Sequence, residues 1–597
     1  MRTFASIACA VILSLTLLSD TSVAENPRKP KIRTVTFDGN TTYPASRLQG
    51  LMLTRPSRFL ATSRFHPEVF HDDLETLTAF YKQNGFLQAR VVDTLVSFDS
   101  AAHSVDIAIG IEEGTRTYVE GVTAFGNEFF ADSVLMRYIG LRKGDPLRRP
   151  IIEDAVVALL YLYAEHGYLD ASVTPKVQVN DTVHLALVDF AVHEGANAHV
   201  GKVNIVGADR TRFNVIKREF TFNQGDTIRY SELIDSQRRL YYTGLFESVF
   251  VRPGQSEIGN PAQRSIRIEV KEKPSSELSF SIGYGTVEKV RGRIELNTSN
   301  LAGTARKAGI GLEANFIRQG VTLSFSEPWT LGTRWKTDVM LFGRLHQEPS
   351  YHSEVVGGKL TVGRKLGPHT TLAVSYRLEN TNLSRVDLQT PVEEMDPRIR
   401  SLTLSLNHDT RDNLFDPVRG LYVNWANEIA GSFLQGSNTF ARSVLTLKSF
   451  SPLGRNGVLG SSLELGWMDS FGDDEDIPLS ERFYAGGPTS LRGFGYQMAG
   501  PMDINDEPIG GQVKLVWNAI ELRHSIYRMF GAALFIDVGN VWLRPNRMKL
   551  SDLRVDSGAG LRVNSPIGIL RLDYGVNLDR RAGESRTKVF ISMGQAF

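Results

Sequence analysis

From Leu278 to Phe597 the sequence alternates apolar and polar residues with a period of two. Leu278, Phe280, Ile282 and Tyr284 alternate with Ser279, Ser281, Gly283 and Gly285, and Leu402, Leu404 and Leu406 with Thr403, Ser405 and Asn407. Leu372, Val374, Tyr376 and Leu378 alternate with Ala373, Ser375, Arg377 and Glu379; Leu570, Leu572, Tyr574 and Val576 alternate with Arg571, Asp573, Gly575 and Asn577. Successive side chains leave a pleated backbone on opposite sides, so each stretch is a strand with one apolar and one polar or charged face. A soluble β-sandwich would have to divide this length among several domains. A closed barrel takes it in one, with the apolar faces toward lipid and the charged faces toward a polar, water-filled lumen. Roughly 320 residues at about 20 per strand and connection predict a transmembrane antiparallel β-barrel of about 16 strands, an even count as such barrels favour.

Ahead of Pro274 a different pattern is written three times, with a period of roughly 80 residues, long enough for each copy to hold its own small core. A short strand ends on Gly39, Gly126 and Gly207. A helix then runs into an aromatic and glycine corner at Tyr81 and Gly85, Tyr163 and Gly167, and Tyr241 and Gly244. The last strand closes on Glu113, Glu194 and Glu272. Each copy reads β-α-α-β-β, an α+β module, and the expected boundaries are 32–114, 115–195 and 196–274, with the barrel over 275–597. In the second module Pro150 is preset for a first helical turn, and Ile151, Ala155, Leu159 and Tyr163 share one face. In the third, Leu233 with Leu240 and Ile234 with Tyr241 repeat that spacing, while in the first a stretch from Thr54 to His66 replaces the Gly-Asp turn of the others. The aromatics and glycines read as core and turn residues; function is expected at exposed sheet edges, where an extended segment can add as a further strand.

Arg2, an apolar run from Phe4 to Leu18 and the small residues Ser22 and Ala24 read as a secretory signal peptide over residues 1–24. Cys9, the only cysteine, lies within it, so the expected mature chain has no disulfide framework and no thiolate metal site. No later segment has the roughly 18 uninterrupted apolar residues of a membrane-spanning helix, which leaves an exported chain as soluble or as a closed barrel. A net charge of +1 gives no field that recruits nucleic acid.

Inside the β segment, Tyr484-Ala-Gly-Gly-Pro-Thr-Ser-Leu491-Arg492-Gly493-Phe494 is followed at strand spacing by Asn518-Ala-Ile-Glu521 and Phe535-Ile-Asp537-Val-Gly539. With Ser326-Glu-Pro-Trp329, Asp409-Thr-Arg-Asp412-Asn-Leu-Phe415-Asp416-Pro417 and the terminal Gly594-Gln-Ala-Phe597, these motifs resemble the outer-membrane assembly and translocation family with POTRA domains, the BamA/TamA superfamily. Three modules resemble its TamA-like branch more than the five-module proteobacterial BamA. Leu491 stands where the family usually has Val or Ile. The resemblance implies a loop tip at Arg492, Gly493 and Phe494 folded back into the barrel and held by two lumen-facing strands that carry Glu521, Phe535, Asp537 and Gly539. An arginine away from bulk water needs a planar acceptor pair, which Glu521 and Asp537 on neighbouring strands supply. It also implies a targeting signal ending at Phe597 and a seam between first and last strands, where Gly283, Gly285 and Gly594 weaken side-chain packing.

The function that follows is non-enzymatic: modules bind unfolded outer-membrane or exported clients, and the parted seam inserts or translocates them. The implied partners are those clients, outer-membrane lipids and an inner-membrane-anchored or periplasmic accessory protein; no cofactor or metal is called for. The alternative is a dedicated two-partner-type secretion pore, although such pores usually carry two modules and a plug helix, for which residues 25–31 are too short. A passive porin has no need of three modules. Enzymatic function is not expected: there is no His-x-x-x-His pair, Gly-x-Ser-x-Gly elbow or phosphate loop. The acidic run Asp473 to Asp476 lacks the spaced ligands of a calcium loop.

Overall fold

The computed structural model describes residues 29–57, 63–257, 260–386, 388, 395–471, 476–566 and 568–597. The expected signal peptide and Asp473 to Glu475 of the acidic run lie outside them. The chain divides into two compact units: 1–204 with 221–235 and 251–267, and 205–220 with 236–250 and 268–597.

In the first module, Lys31–Asp38 pairs in parallel with Ser104–Glu112, which pairs antiparallel with Arg90–Asp99. The helices Ala45–Leu51 and Pro67–Gln83 cover one face of this sheet through Leu48, Phe70, Leu77 and Tyr81, against Val105, Ile107 and Ile109. The second module repeats the arrangement with Tyr118–Phe125, Leu185–His193 and Ser172–Asn180 under Asp132–Ile139 and Arg149–Ala164. In its longer helix Ala155, Leu159 and Tyr163 are buried, as their spacing requires. The third has the same strand order, His199–Val206, Asn260–Glu272, Phe246–Glu257, with helices Phe213–Lys217 and Tyr230–Tyr242.

The repeated glutamate closes each module. Glu113 accepts bonds from the Tyr81 hydroxyl (2.9 Å), the Thr42 amide (3.0 Å) and the Thr41 hydroxyl (2.7 Å). Glu194 accepts the Tyr163 hydroxyl at 2.8 Å and the Glu128 amide at 2.9 Å. The third module departs from the expected pattern. Its corner keeps the same spacing to the glycine, but Leu240, four residues before Gly244, takes the buried place of the tyrosine, while Ile234 and Tyr241 are exposed. Glu272 instead gathers the Thr211 amide (2.7 Å) and Arg210.

Burial pushes the Glu113 carboxyl up, but the bonds from Thr42, Thr41 and Tyr81 outweigh it and hold its pKa below the usual value. A carboxylate whose folded pKa is depressed contributes stability above its unfolded pKa and loses it as pH falls through the folded one. Glu113→Gln is therefore expected to lower amide-exchange protection at Thr42, whose amide donates to Glu113, at neutral pH, by about 1–3 kcal/mol. The difference from wild type should close as pH falls below the ordinary carboxylate range; a gap that widens in acid would contradict this sign.

Residues 276–593 form one sixteen-stranded sheet in which every strand pairs antiparallel with its sequence neighbours, beginning at Ser276–Gly285 and ending at Thr587–Met593. Its apolar faces point outward: Phe280 and Ile282 are 69 % and 79 % exposed, and Leu404, Leu572 and Tyr574 also face out. The charged residues of the alternate positions, Glu521, Asp537, Arg571 and Asp573, are buried inside. This inversion excludes a soluble sandwich and places the apolar belt against hydrocarbon.

Candidate functional site

Between the strands Gly457–Ser470 and Val513–Tyr527, residues 476–512 fold back into the lumen. The tip closes on itself: the Gly487 amide donates to the Leu491 carbonyl (3.2 Å), and the Gly486 amide to the Ser490 hydroxyl (3.2 Å). Gly486 and Gly487 have φ of +106° and +108°, which L side chains rarely adopt. The turn drives Leu491 and Phe494 into an apolar cluster with Ala485, Ala499, Val516 and Val541 and leaves Arg492 pointing at the wall.

Arg492 has no solvent exposure. Its Nε and Nη2 each donate to one oxygen of Asp537 at 2.8 Å, its backbone amide donates to the same carboxylate at 3.3 Å, and Nη1 donates to Glu521. The guanidinium lies 3.6 Å from the centroid of the Phe535 ring. Asn518 orients Asp537 with a 2.9 Å bond and ties the loop with a second, 2.7 Å, to the Ser490 carbonyl. The bidentate fork and stacked ring are the geometry for which arginine, rather than lysine, is suited.

Two expected neighbours act differently from the latch reading. A Cβ on Gly539 would lie 2.4 Å from the Leu515 carbonyl oxygen, so Gly539 serves the close approach of its own and the adjacent strand. Phe494 is held by Arg554, whose guanidinium sits 4.8 Å from its ring centroid. Sequence reasoning did not assign partners on the next two strands. A Cβ on Gly575 would sit 2.2 Å from the Arg492 carbonyl oxygen, one on Gly493 would sit 2.4 Å from Asp556 Cβ, and Arg571 donates to the Pro488 carbonyl at 2.7 Å. Arg571, Asp573 and Gly575 were legible only as a polar face; against this wall that face meets the packed loop, where a water-filled lumen was expected.

The first and last strands do not form a ladder. Among the described residues, the backbone is joined across the seam at one place: the Thr286 amide donates to the Ile591 carbonyl (2.8 Å), and the Ile591 amide donates to the Thr286 hydroxyl (2.7 Å). Gly285 faces Ile591 across the gap, its would-be Cβ 3.6 Å from the carbonyl oxygen, whereas the nearest atoms to a Cβ on Gly283 belong to the Arg291 side chain of its own hairpin. The last strand stops at Met593, and the targeting segment does not continue it as the alternation suggested. Gly594, with φ +94°, turns the chain inward. Gln595 then donates to Asp416 at 2.8 Å, Ala596 is buried, and Phe597 stacks on Phe450 with centroids 6.0 Å apart.

Known proteins share this architecture. A family model described as the Omp85 superfamily domain matches residues 300–597, and a POTRA model, described as a surface antigen variable number repeat, matches 30–114, 117–195 and 198–273. The outer membrane protein assembly factor BamA of Neorickettsia risticii is 25% identical over 587 residues, spanning 95% of this chain and 78% of that protein. The factor of the same name from Nitratidesulfovibrio vulgaris is 25% identical over 563 residues, spanning 91% and 69%. The crystal structure of BamA from Haemophilus ducreyi lacking POTRA domains 1–3 superposes with a TM-score of 0.72 at 19% identity, covering 80% of this chain and 99% of that one, a likeness of fold.

Proposed function

We propose, from the premise that this chain belongs to the Omp85 superfamily, that it is a non-enzymatic outer-membrane protein assembly factor. In this reading the modules receive extended clients and the barrel seam templates their strands. The protein is an outer-membrane β-barrel whose three POTRA modules lie in the periplasm. The observation that carries the reading is the first strand's outer edge: Ser276–Gly285 is fully paired with its hairpin partner, yet among the described residues the seam's backbone is joined only through Thr286 just beyond it. A client strand in hydrocarbon must pair its backbone groups, and an edge that is already nearly free supplies that pairing at little cost. The sheet edges of the modules can hand over such strands without reading their sequence.

Depletion in the native host tests the proposal. Folded outer-membrane barrels should fall, judged by the differing gel mobility of unboiled and boiled samples, and the protein itself should show that heat-modifiability because its ladders resist detergent. Undiminished barrels together with loss of one secreted protein would instead establish the two-partner pore. The relatives above are BamA proteins, so the TamA-like expectation rests on module number alone; a general loss of barrels indicates BamA-like duty, and loss of a client subset TamA-like duty.

A further inference from the structure

The lumen contains a second charged cluster, built on strands that precede the loop in sequence and unrelated to the Arg492 motif. Arg377, on Thr370–Ser384, and Arg442, on Phe440–Leu453, face a single acidic residue of the returning loop, Glu481. Arg377 donates from Nη1 and Nη2 to the two Glu481 oxygens at 3.0 Å each, and Arg442 Nη1 lies 3.0 Å from the same carboxylate and 3.3 Å from the Glu481 carbonyl. Glu428 bridges the two arginines, accepting from Arg377 at 2.8 Å and from Arg442 Nε at 2.8 Å. Glu379 stands 3.5 Å from Arg377, and Lys359 lies opposite Arg377 in the ladder. The wall thus presents Lys359, Arg377 and Arg442 against Glu379 and Glu428, and the loop brings the third carboxylate. Glu481 is 6 % exposed, held in a single helical turn, Leu479–Glu481, whose Leu479 packs with Tyr351 and Leu383.

We propose that Glu481 is a second anchor of the loop, with polarity reversed relative to the first: a loop cation on wall carboxylates at Arg492, a loop carboxylate on wall cations at Glu481. The loop is then a tie across the lumen. One end holds the strands Val513–Tyr527 and Phe530–Trp542, which lead toward the seam; the other holds strands near the middle of the sheet. Each end packs the part of the loop next to it, Glu481 the stem around position 485 and Arg492 the tip around position 490. A long loop tethered only at its tip regains most of its conformational freedom at the stem, and a buried carboxylate between two arginines is the group that removes it. Glu481 is a positioning residue, and the inference stands apart from the assembly reading because it concerns the loop alone.

The test uses the full chain carrying Ala485→Cys, a small buried site between the two anchors. The expected mature chain has no other thiol. In the parent, a membrane-impermeant maleimide should label the thiol introduced at position 485 slowly. Glu481→Gln should speed labelling at least tenfold while the barrel remains heat-modifiable, and Arg442→Gln should do the same from the wall. A thiol introduced instead by Ser490→Cys, beside the Arg492 latch, should be affected far less by either change, and Arg492→Ala should reverse that order. A labelling rate at position 485 unchanged by Glu481→Gln and Arg442→Gln in assembled barrels overturns the proposal. Failure of Glu481→Gln to assemble, with Arg442→Gln assembled and still protected, also counts against it.

Discussion

Arg492→Ala is expected to abolish complementation of a depleted strain while the barrel still assembles and still shifts on heating. The substitution removes one cation and leaves Glu521, Asp537 and the nearby Asp556 in a buried space, all three at or near zero exposure, while Asp573 keeps its pairs with Arg562 and Arg571. Breaking a buried pair by removing one partner costs about 3–5 kcal/mol, because the other charge is stranded. The sheet does not bear that cost, since its ladders do not involve Arg492. The loop does, and it should leave the wall, which limited trypsin digestion from the extracellular side will read. Arg492→Lys should recover little, because a point charge cannot span the two Asp537 oxygens and Glu521 together or stack on Phe535. Asp537→Asn should be harsher than Glu521→Gln: Asp537 accepts three bonds from Arg492 and one from Asn518, whereas Glu521 accepts one from Arg492. Wild-type complementation and trypsin resistance in all of these variants would refute a latch.

The parts of this molecule that could be read from its residues are those in which local spacing carries the information. The period of two located the strands and told their faces apart, because the lipid side must be apolar wherever the chain crosses it. Arg492, Glu521 and Asp537 were found because an arginine in a lumen needs acceptors and two acidic strand motifs follow at barrel spacing. The contacts that were missed depend on register between distant strands. Gly575 lies against the Arg492 carbonyl, and Arg571 reaches Pro488, only because the loop descends to that height on the wall. Glu481 sits just ahead of the quoted loop motif and has no spacing signal, since its partners Arg442 and Arg377 lie 39 and 104 residues earlier in the chain. In the third module Leu240 stands at the tyrosine position, four residues before Gly244, a substitution that Tyr241 directly after it concealed among the repeated aromatic letters. The inward turn at Gly594 was hidden for the opposite reason: the residues after it still carry the composition of a strand end.

Cysteines at Thr286 and Ile591 should lock the seam and stop assembly activity when oxidised, and reduction should restore it. These two residues meet across the seam through the Thr286 amide and hydroxyl and the Ile591 backbone, so cysteines there bring two thiols to the native point of contact. The energetic argument concerns the client. Each backbone group left unpaired in hydrocarbon costs several kcal/mol, so a strand can enter lipid only by pairing as it goes. Sixteen strands paired to their neighbours offer no such surface except the edge of Ser276–Gly285 and the short edge of Thr587–Met593, which the native contact at Thr286 holds near each other. A covalent bond at that point converts a pin made of hydrogen bonds into one that no client can displace. Because Cys9 lies in the expected signal peptide, the pair has no native thiol with which to exchange. The disulfide should also leave heat-modifiability and the trypsin resistance of the Arg492 loop unchanged, which separates a locked seam from a misfolded barrel. Full assembly activity with the bond demonstrably closed would rule out lateral release through the seam and leave passage through the lumen as the route.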